Sequence, residues 1–509
     1  WGGKTYFLLI SFGLSGAVCQ ASTPAFLRGL RIDASMEATV GSGEFAPLYM
    51  ASNRRGTLSS ADNVLLSAGA VRSMELDRRL SYGYGVELWG GYSSAVGYSR
   101  YDASTDSWGV NSRRPSGLWL QQLYAEVKWR SLTASAGMKH EGSPIVDDRL
   151  SGGDMIRSAN SRPIPGVRAG FVDFQPVPLT SGWLQISGEL EYGRFADDGW
   201  WRDHSALYNG HVAQGEWSVY RRMHLRTDPD RPLTVTLGVQ CASQIGGTTT
   251  YYSGGKVAMV EHRGHKVADF IKILAPVEKG AEDYVLGNTL GTWDLKATVG
   301  LRDGYRLSGY FQWIWEDGSG MAKLNGWDGL WGIEMKNSCP DAIVGGVVVE
   351  YLDLTNQSGP IHWAPGDHPS TSITSEATGA DDYYNNAYYN SYAYYGMGMG
   401  RATVMSPIYN TDGYMAYVGN RIRGVHIGIE GRIGQVGYRV LAGWRKAYGN
   451  GYEAMIPARQ STSVMAEASV PLRSVPGATI GIQGAIDRGK LPANASAAAI
   501  SFTYSGLLR

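Results

Sequence analysis

The chain has 509 residues, and its 46 Lys and Arg balance 46 Asp and Glu, so no global field favours a nucleic-acid partner. Its 68 glycines, 31 tyrosines and 16 tryptophans point to an all-β chain rich in turns and interfacial aromatics, and no Pro/Ser linker or compositional break divides it. Past the first residues no stretch is long and apolar enough for a membrane helix, so membrane residence requires a closed barrel.

The first element is a targeting segment. Lys4 precedes an apolar run, Phe7 to Val18, too short to span a bilayer, and Cys19-Gln20-Ala21 offers the small residues a signal peptidase reads. This assigns residues 1–21 to a signal peptide cleaved after Ala21 and 22–509 to the mature barrel. Cys19 as a lipid-anchor cysteine is the alternative, which Ala17-Val18 before it fits poorly.

Strand patterns follow near Leu30–Ala38, Val64–Arg72, Leu80–Tyr92, Trp119–Trp129, Leu132–Met138 and Val167–Phe174. They continue near Leu184–Phe195, Trp217–Leu225, Leu233–Cys241, Trp293–Leu301, Tyr305–Trp315 and Leu330–Met335. The last group lies near Ile343–Leu354, Ile422–Gly431, Val436–Trp444, Ser463–Val470, Thr479–Ile486 and Ala498–Tyr504. The clearest pair is Trp293 to Trp315. Trp293, Leu295, Ala297, Val299 and Leu301 alternate with Asp294, Lys296, Thr298 and Gly300; Asp303-Gly304 supplies a tight turn, and Tyr305, Leu307, Phe311, Trp313 and Trp315 resume the apolar face.

Connections sort by parity. Those after even-numbered strands are short, as at Arg130-Ser131 and 302–304, and those after odd-numbered strands are long, as at 41–62, 139–165, 242–291 and 355–421. A soluble sandwich has no reason to sort its loops this way, whereas an outer-membrane barrel has short periplasmic turns and long external loops. The predicted fold is therefore all-β: a single transmembrane antiparallel β-barrel of about 18 strands. Parity turns Leu80, Tyr82, Val86, Leu88, Ile500 and Phe502 to lipid, and Glu87, Glu126, Glu189, Glu191, Lys296, Glu430, Arg439 and Arg445 to the lumen, where both signs can pair. Cys241 falls at the outer end and Cys339 in a periplasmic turn, too far apart for a disulfide. Within the external loop 242–291, "KVADFIKIL" and "EDYVL" carry helical spacing, so that loop is expected to be partly helical.

Chemistry is sparse. The pair His262 and His265 is a weak metal signal, the pairs Asp147-Asp148, Asp197-Asp198 and Asp381-Asp382 lack a calcium-loop spacing, and "GYSSAVG" matches a hydrolase elbow only imperfectly. No catalytic residue, metal or cofactor is assigned, and the chain reads as a non-enzyme. The Tyr/Asn-rich external loop 355–421 stands out through "DDYYNNAYYNSYAYYGMGMG", Asp381 to Gly400. Tyrosine faces stack on sugar rings and amides pair with hydroxyls, so Tyr383, Tyr384, Asn385, Asn386, Tyr388 and Tyr392 are candidate carbohydrate-binding residues, with Trp200, Trp201 and Trp363 in other external stretches. The competing reading is an aromatic loop that folds into the barrel mouth and buries its own rings.

That loop, together with "EYLDLTNQSGPIHW" (Glu350 to Trp363), "EDGSGM" (Glu316 to Met321) and "RPIPGVRAG" (Arg162 to Gly170), resembles motifs of the Wzi capsule-assembly family in the form found in Bacteroidota. The resemblance implies a barrel of about eighteen strands in the outer membrane of a Gram-negative bacterium, binding capsular polysaccharide or exopolysaccharide as a lectin. Surface polysaccharide and outer-membrane lipid are the expected partners. A porin or glycan-transport channel is the alternative function. The C-terminal "TYSGLLR" departs from the pattern, because Tyr504 is its last aromatic residue, and a shifted or frayed final strand is one reading of that.

Overall fold

The computed structural model describes residues 27–115, 117–264, 266–274, 287–316, 318–321, 323–360, 362–363 and 377–508. The expected signal peptide, His265 and the "EDYVL" segment lie outside them. Among the described residues the wall comprises β1 (Leu30–Ser42), β2 (Asn63–Arg72), β3 (Leu80–Ser93), β4 (Leu118–Trp129), β5 (Leu132–Met138) and β6 (Gly166–Phe171). It continues with β7 (Leu184–Arg194), β8 (Trp217–Thr227), β9 (Leu233–Ile245), β10 (Asn288–Gly300), β11 (Tyr305–Trp315) and β12 (Gly329–Asn337). The last third is β13 (Gly346–Asp353), β14 (Ile422–Ile433), β15 (Val436–Gly449), β16 (Ala454–Pro471), β17 (Ala478–Gly489) and β18 (Ala495–Leu507).

Each strand pairs antiparallel with its sequence neighbours, and β1 also pairs with β18 from Arg31 opposite Leu507 to Ser42 opposite Ser496. The two residues Gln175–Pro176 pair on β7 below β6 and extend it, which makes a closed ring of 18 strands. Closure leaves no edge whose backbone groups would face hydrocarbon unpaired. The final strand is fully laddered to Leu507, so the absence of a late aromatic does not fray it.

The outward positions are apolar: Leu80, Tyr82, Val86 and Leu88 on β3, Leu295 and Val299 on β10, and Ile500 and Phe502 on β18 are all exposed. Trp293, Trp331, Tyr351 and Trp444 girdle the external end, and Phe311 stacks on Trp331 with ring centroids 3.9 Å apart. At the β10–β11 turn Asp303 and Gly304 take φ values of 57° and 77°, the left-handed pair that a tight hairpin needs. Several strands run past the expected spans at their external ends, β1 to Ser42, β9 to Ile245 and β10 from Asn288; β15 runs on to Gly449 and β16 starts at Ala454, so the wall rises above the apolar belt there. Cys241 and Cys339 are both free, as expected from their placement at opposite ends; Cys241 is buried and Cys339 exposed.

Inward side chains are polar and paired. Glu189 and Glu191 take Arg157 at 3.2 and 2.9 Å, Glu126 takes Lys139 at 2.8 Å, and Arg439 takes Glu467 at 2.6 Å. Three external connections turn into the barrel and meet these walls. The segment 139–165 descends so far that Lys336, beside the periplasmic turn, pairs with Asp147, and the Leu150 carbonyl accepts from His426 Nε2 at 2.7 Å. A Cβ built on Gly428 would lie 2.1 Å from that carbonyl oxygen, so only glycine lets the plug lie so close to the wall. The short helix Leu48–Ala51 packs beside it, with Tyr49 Oη 2.7 Å from His426 Nδ1.

The third inward segment is 377–421. Its Arg401 donates to Glu350 at 2.7 Å and to the Gly153 carbonyl at 2.9 Å, and Tyr310 Oη donates to the other Glu350 oxygen at 2.8 Å. Asp154 is the matching node of the descending loop, accepting from Gln240 and Gln312 at 3.2 and 2.9 Å. Apolar residues of the plug, Met155, Ile156, Met399 and Val404, form one buried cluster with wall residues Tyr220, Leu290, Ile314 and Leu330. The barrel therefore has a packed interior, which is the second reading of the Tyr/Asn-rich loop.

Candidate functional site: a cleft at the external mouth

The aromatic run does not form one exposed surface. Tyr383 and Tyr384 are 0% and 1% exposed. Tyr383 Oη donates to Asp328 at 3.0 Å, Tyr384 Oη to the Met155 carbonyl at 2.9 Å, and Tyr392 Oη to the Ile156 carbonyl at 3.1 Å. These three rings are correctly placed in the core of the plug, not among sugar-stacking residues, because each buried hydroxyl needs a protein partner. Trp201 is buried too, its indole N–H donating to Asp197 at 2.9 Å. Trp200 stacks on His204, with centroids 4.1 Å apart, and packs over Gly396. Trp363 belongs to a two-residue ribbon opposite Ala377; its side chain lies outside the described residues.

What reaches solvent surrounds a cleft of about 500 Å³ at the external mouth. Four stretches build it: 195–216 between β7 and β8, the ribbon Gly247–Ser253 paired with Gly210–Gln214, the inward segment 377–421, and the β15–β16 turn. Tyr388, Tyr414 and Tyr452 are exposed at its rim, and Tyr252 is half-buried in its wall. Arg263 stands 4.3 Å from the Tyr388 ring centroid and steadies its outer face.

Three asparagines share one arrangement. Asn209 Oδ1 accepts from the Gly254 amide at 2.9 Å, Asn386 Oδ1 from the Tyr388 amide at 2.9 Å, and Asn450 Oδ1 from the Tyr452 amide at 2.9 Å. The local turn takes the oxygen of Asn386 and Asn450, and the neighbouring loop takes that of Asn209, so each side chain is fixed and among the described residues each Nδ2 is left free to donate. Asn385 is different. Its amide donates to Asp382 and to the Tyr417 carbonyl, both at 3.0 Å, while its oxygen accepts from Ser391 and Tyr417, so it is a strut under the cleft and not a ligand for it.

Burial sets the charge state below the cleft. Burial pushes Glu216 up to about 8, even though its carboxylate accepts from the Asn390 amide, and pushes Asp197 up to about 7. Burial also raises Asp382 and lowers His211, whose Nε2–H donates to the Tyr389 carbonyl at 2.8 Å. The cleft thus offers neutral donors and aromatic faces with muted negative charge, a surface suited to polyhydroxyl ligands. Among the described residues no group of His, Cys, Asp and Glu could hold a metal.

Of the candidates named from sequence, Asn386 and Tyr388 line this cleft with open groups. Asn209, Tyr252, Tyr414, Asn450 and Tyr452 were missed. Their signal is weak, single Tyr and Asn residues in four separate loops, and only the fold gathers them.

No family model and no curated protein matches the chain. Among solved structures it is similar to Wzi, described as an outer-membrane protein involved in group 1 capsule assembly in Escherichia coli and a carbohydrate-binding β-barrel. That likeness has 12% identity and a TM-score of 0.55, and covers 95% of this chain and 86% of that one. It also matches OccK3 of Pseudomonas aeruginosa, at 11% identity and TM-score 0.44 over 95% of this chain and 97% of that one. A third match is OccAB2 of Acinetobacter baumannii, at 7% identity and TM-score 0.46 over 94% and 98%. At these identities the likeness concerns the fold: an outer-membrane type of closed barrel.

Proposed function

We propose that this protein sits in the outer membrane of a Gram-negative bacterium and holds capsular polysaccharide or exopolysaccharide in the cleft at its external mouth, as a lectin and not as a catalyst. The observation that carries this reading is the trio Asn209, Asn386 and Asn450, each held through its side-chain oxygen by a backbone amide, which line a cleft rimmed by Tyr388, Tyr414 and Tyr452. Rings supply stacking area and amides supply hydroxyl recognition. Several such shallow contacts, repeated along a polymer, give useful avidity without a deep pocket. The packed lumen supports retention at the surface over conduction through the barrel. The similarity to the Wzi barrel and the resemblance of the sequence motifs to those of that family favour the same class of ligand.

The test is polysaccharide binding by the detergent-solubilised chain carrying Asn386→Ala, Tyr388→Ala and Tyr414→Ala together. Loss of two or three stacking and hydrogen-bonding contacts, each worth about 1 kcal/mol, weakens binding by roughly thirty- to a hundred-and-fifty-fold. The barrel keeps its heat-modifiable migration. Unchanged binding in a folded variant removes the cleft from the account.

A further inference from the structure

The outer wall carries a second feature, unrelated to the mouth. Leu190, Arg221, Cys241, Gly291 and Trp315 stand opposite one another on five consecutive strands, β7 to β11, all facing outward. The next outward row towards the middle of the barrel is Met223, Val239, Trp293 and Trp313. Arg221 is therefore at the level of the external aromatic girdle. Between its long side chain and the indole of Trp315 lie only Cys241 and Gly291, and a Cβ at Gly291 would meet the Trp315 ring at 2.2 Å. Large groups flanking small ones leave a crevice of about 360 Å³, closed on its external side by Leu274.

That side is a flap of the loop after β9. The helix Val267–Lys272 packs on the outside of the wall: Ile273 is buried against Val219 and Ile245, and Tyr192 Oη donates to the Phe270 carbonyl. Val267 and Ile271 project away from the wall, exposed and apolar, as a segment lying in the lipid interface does.

The crevice is apolar apart from its donors. Arg221 Nη1 donates to Ser243 Oγ at 2.9 Å. Its Nε and Nη2, and the Trp315 indole N–H, are buried with no partner among the described residues. A guanidinium on the lipid-facing wall is costly unless an anion meets it, and the anions at this depth are lipid headgroups. We propose that this crevice binds a phosphate-bearing acyl lipid of the outer leaflet, its phosphate taken by Arg221 and the Trp315 indole and its chains laid along Met223, Val239 and Trp293. The donors are covered, so entry of the headgroup requires the Leu274 side chain to move aside.

Native mass spectrometry on the delipidated full chain tests this, with a bisphosphorylated, multiply acylated glucosamine disaccharide as the probe. The intact chain retains the lipid, and the dephosphorylated lipid binds at least ten-fold more weakly. Arg221→Gln loses most of the adduct, Arg221→Lys regains part of it, and Trp315→Phe, which keeps the ring but removes the N–H, weakens it. Arg226→Gln, on the inward face of the same strand, held by Gln185 and outside the crevice, leaves it unchanged. Heat-modifiable migration confirms that each variant is folded. Equal retention by Arg221→Gln, equal binding of the dephosphorylated lipid, or full competition by inorganic phosphate alone overturns the proposal.

Discussion

Glu350 shows what single residues do in this molecule. It accepts from Arg401, Tyr310 and the Gly152 amide, and so ties β13 to two inward segments at once. Removing one partner of a buried ion pair strands the other charge, so Glu350→Ala costs about 3–5 kcal/mol, and Glu350→Gln, which keeps an acceptor, costs less. Thermal unfolding in detergent reads the difference. Asp197 and Glu216 supply a pH dependence. Both are held protonated by burial, to about 7 and about 8. The folded state therefore binds more protons than the unfolded one above pH 4, and the stability they contribute falls as pH rises through 7 and 8, then levels off. Amide exchange in 196–216 and 385–395, corrected for intrinsic rate, is expected to be slower at pH 5.5 than at pH 8.5. At this scale the sequence was read least well. A tyrosine that stacks on a sugar and one whose hydroxyl meets Met155 or Ile156 are spelled alike, and which is which depends on residues more than two hundred positions away.

Among elements, the β10–β11 hairpin was legible because every level agreed: alternation, aromatic ends and an Asp-Gly turn in the left-handed region. The extension of β15 and β16 to Gly449 and Ala454 was not, because above the lipid the outward side need no longer be apolar and the alternation fades through "KAYGNGYEAMIPARQ". The descending segment 139–165 was placed outside by its length, yet its job is inside, where polar side chains answer a polar wall without any period. Its motif "RPIPGVRAG" works there too: Arg162 lies 4.7 Å from the Trp119 ring centroid and 4.6 Å from that of Tyr395, joining wall to plug. Replacing 143–156 with a Gly/Ser linker removes the Asp154 node and the contacts of Met155 and Ile156. The expected outcome is a barrel that still migrates as folded but admits small solutes in a liposome-swelling assay.

For the whole molecule, parity was the decisive signal, since strand count, loop sorting and outward apolar faces all follow from one requirement: a closed ring in hydrocarbon with its polar groups inside. What parity leaves open is the contents of the ring, for a wall bearing both signs of charge suits a water-filled lumen or a protein-filled one. Here Arg157, Lys139, Arg149 and Arg401 bring countercharges inward on the loops themselves. A lumen filled in this way and a cleft set at the external mouth are what the proposed holding of polymer at the cell surface needs. Single-channel recording in a planar bilayer tests that directly. The packed barrel is expected to show almost no conductance until residues 143–156 are removed, whereas steady, long-lived open-channel steps from the intact chain would contradict a closed interior and the surface-holding role built on it.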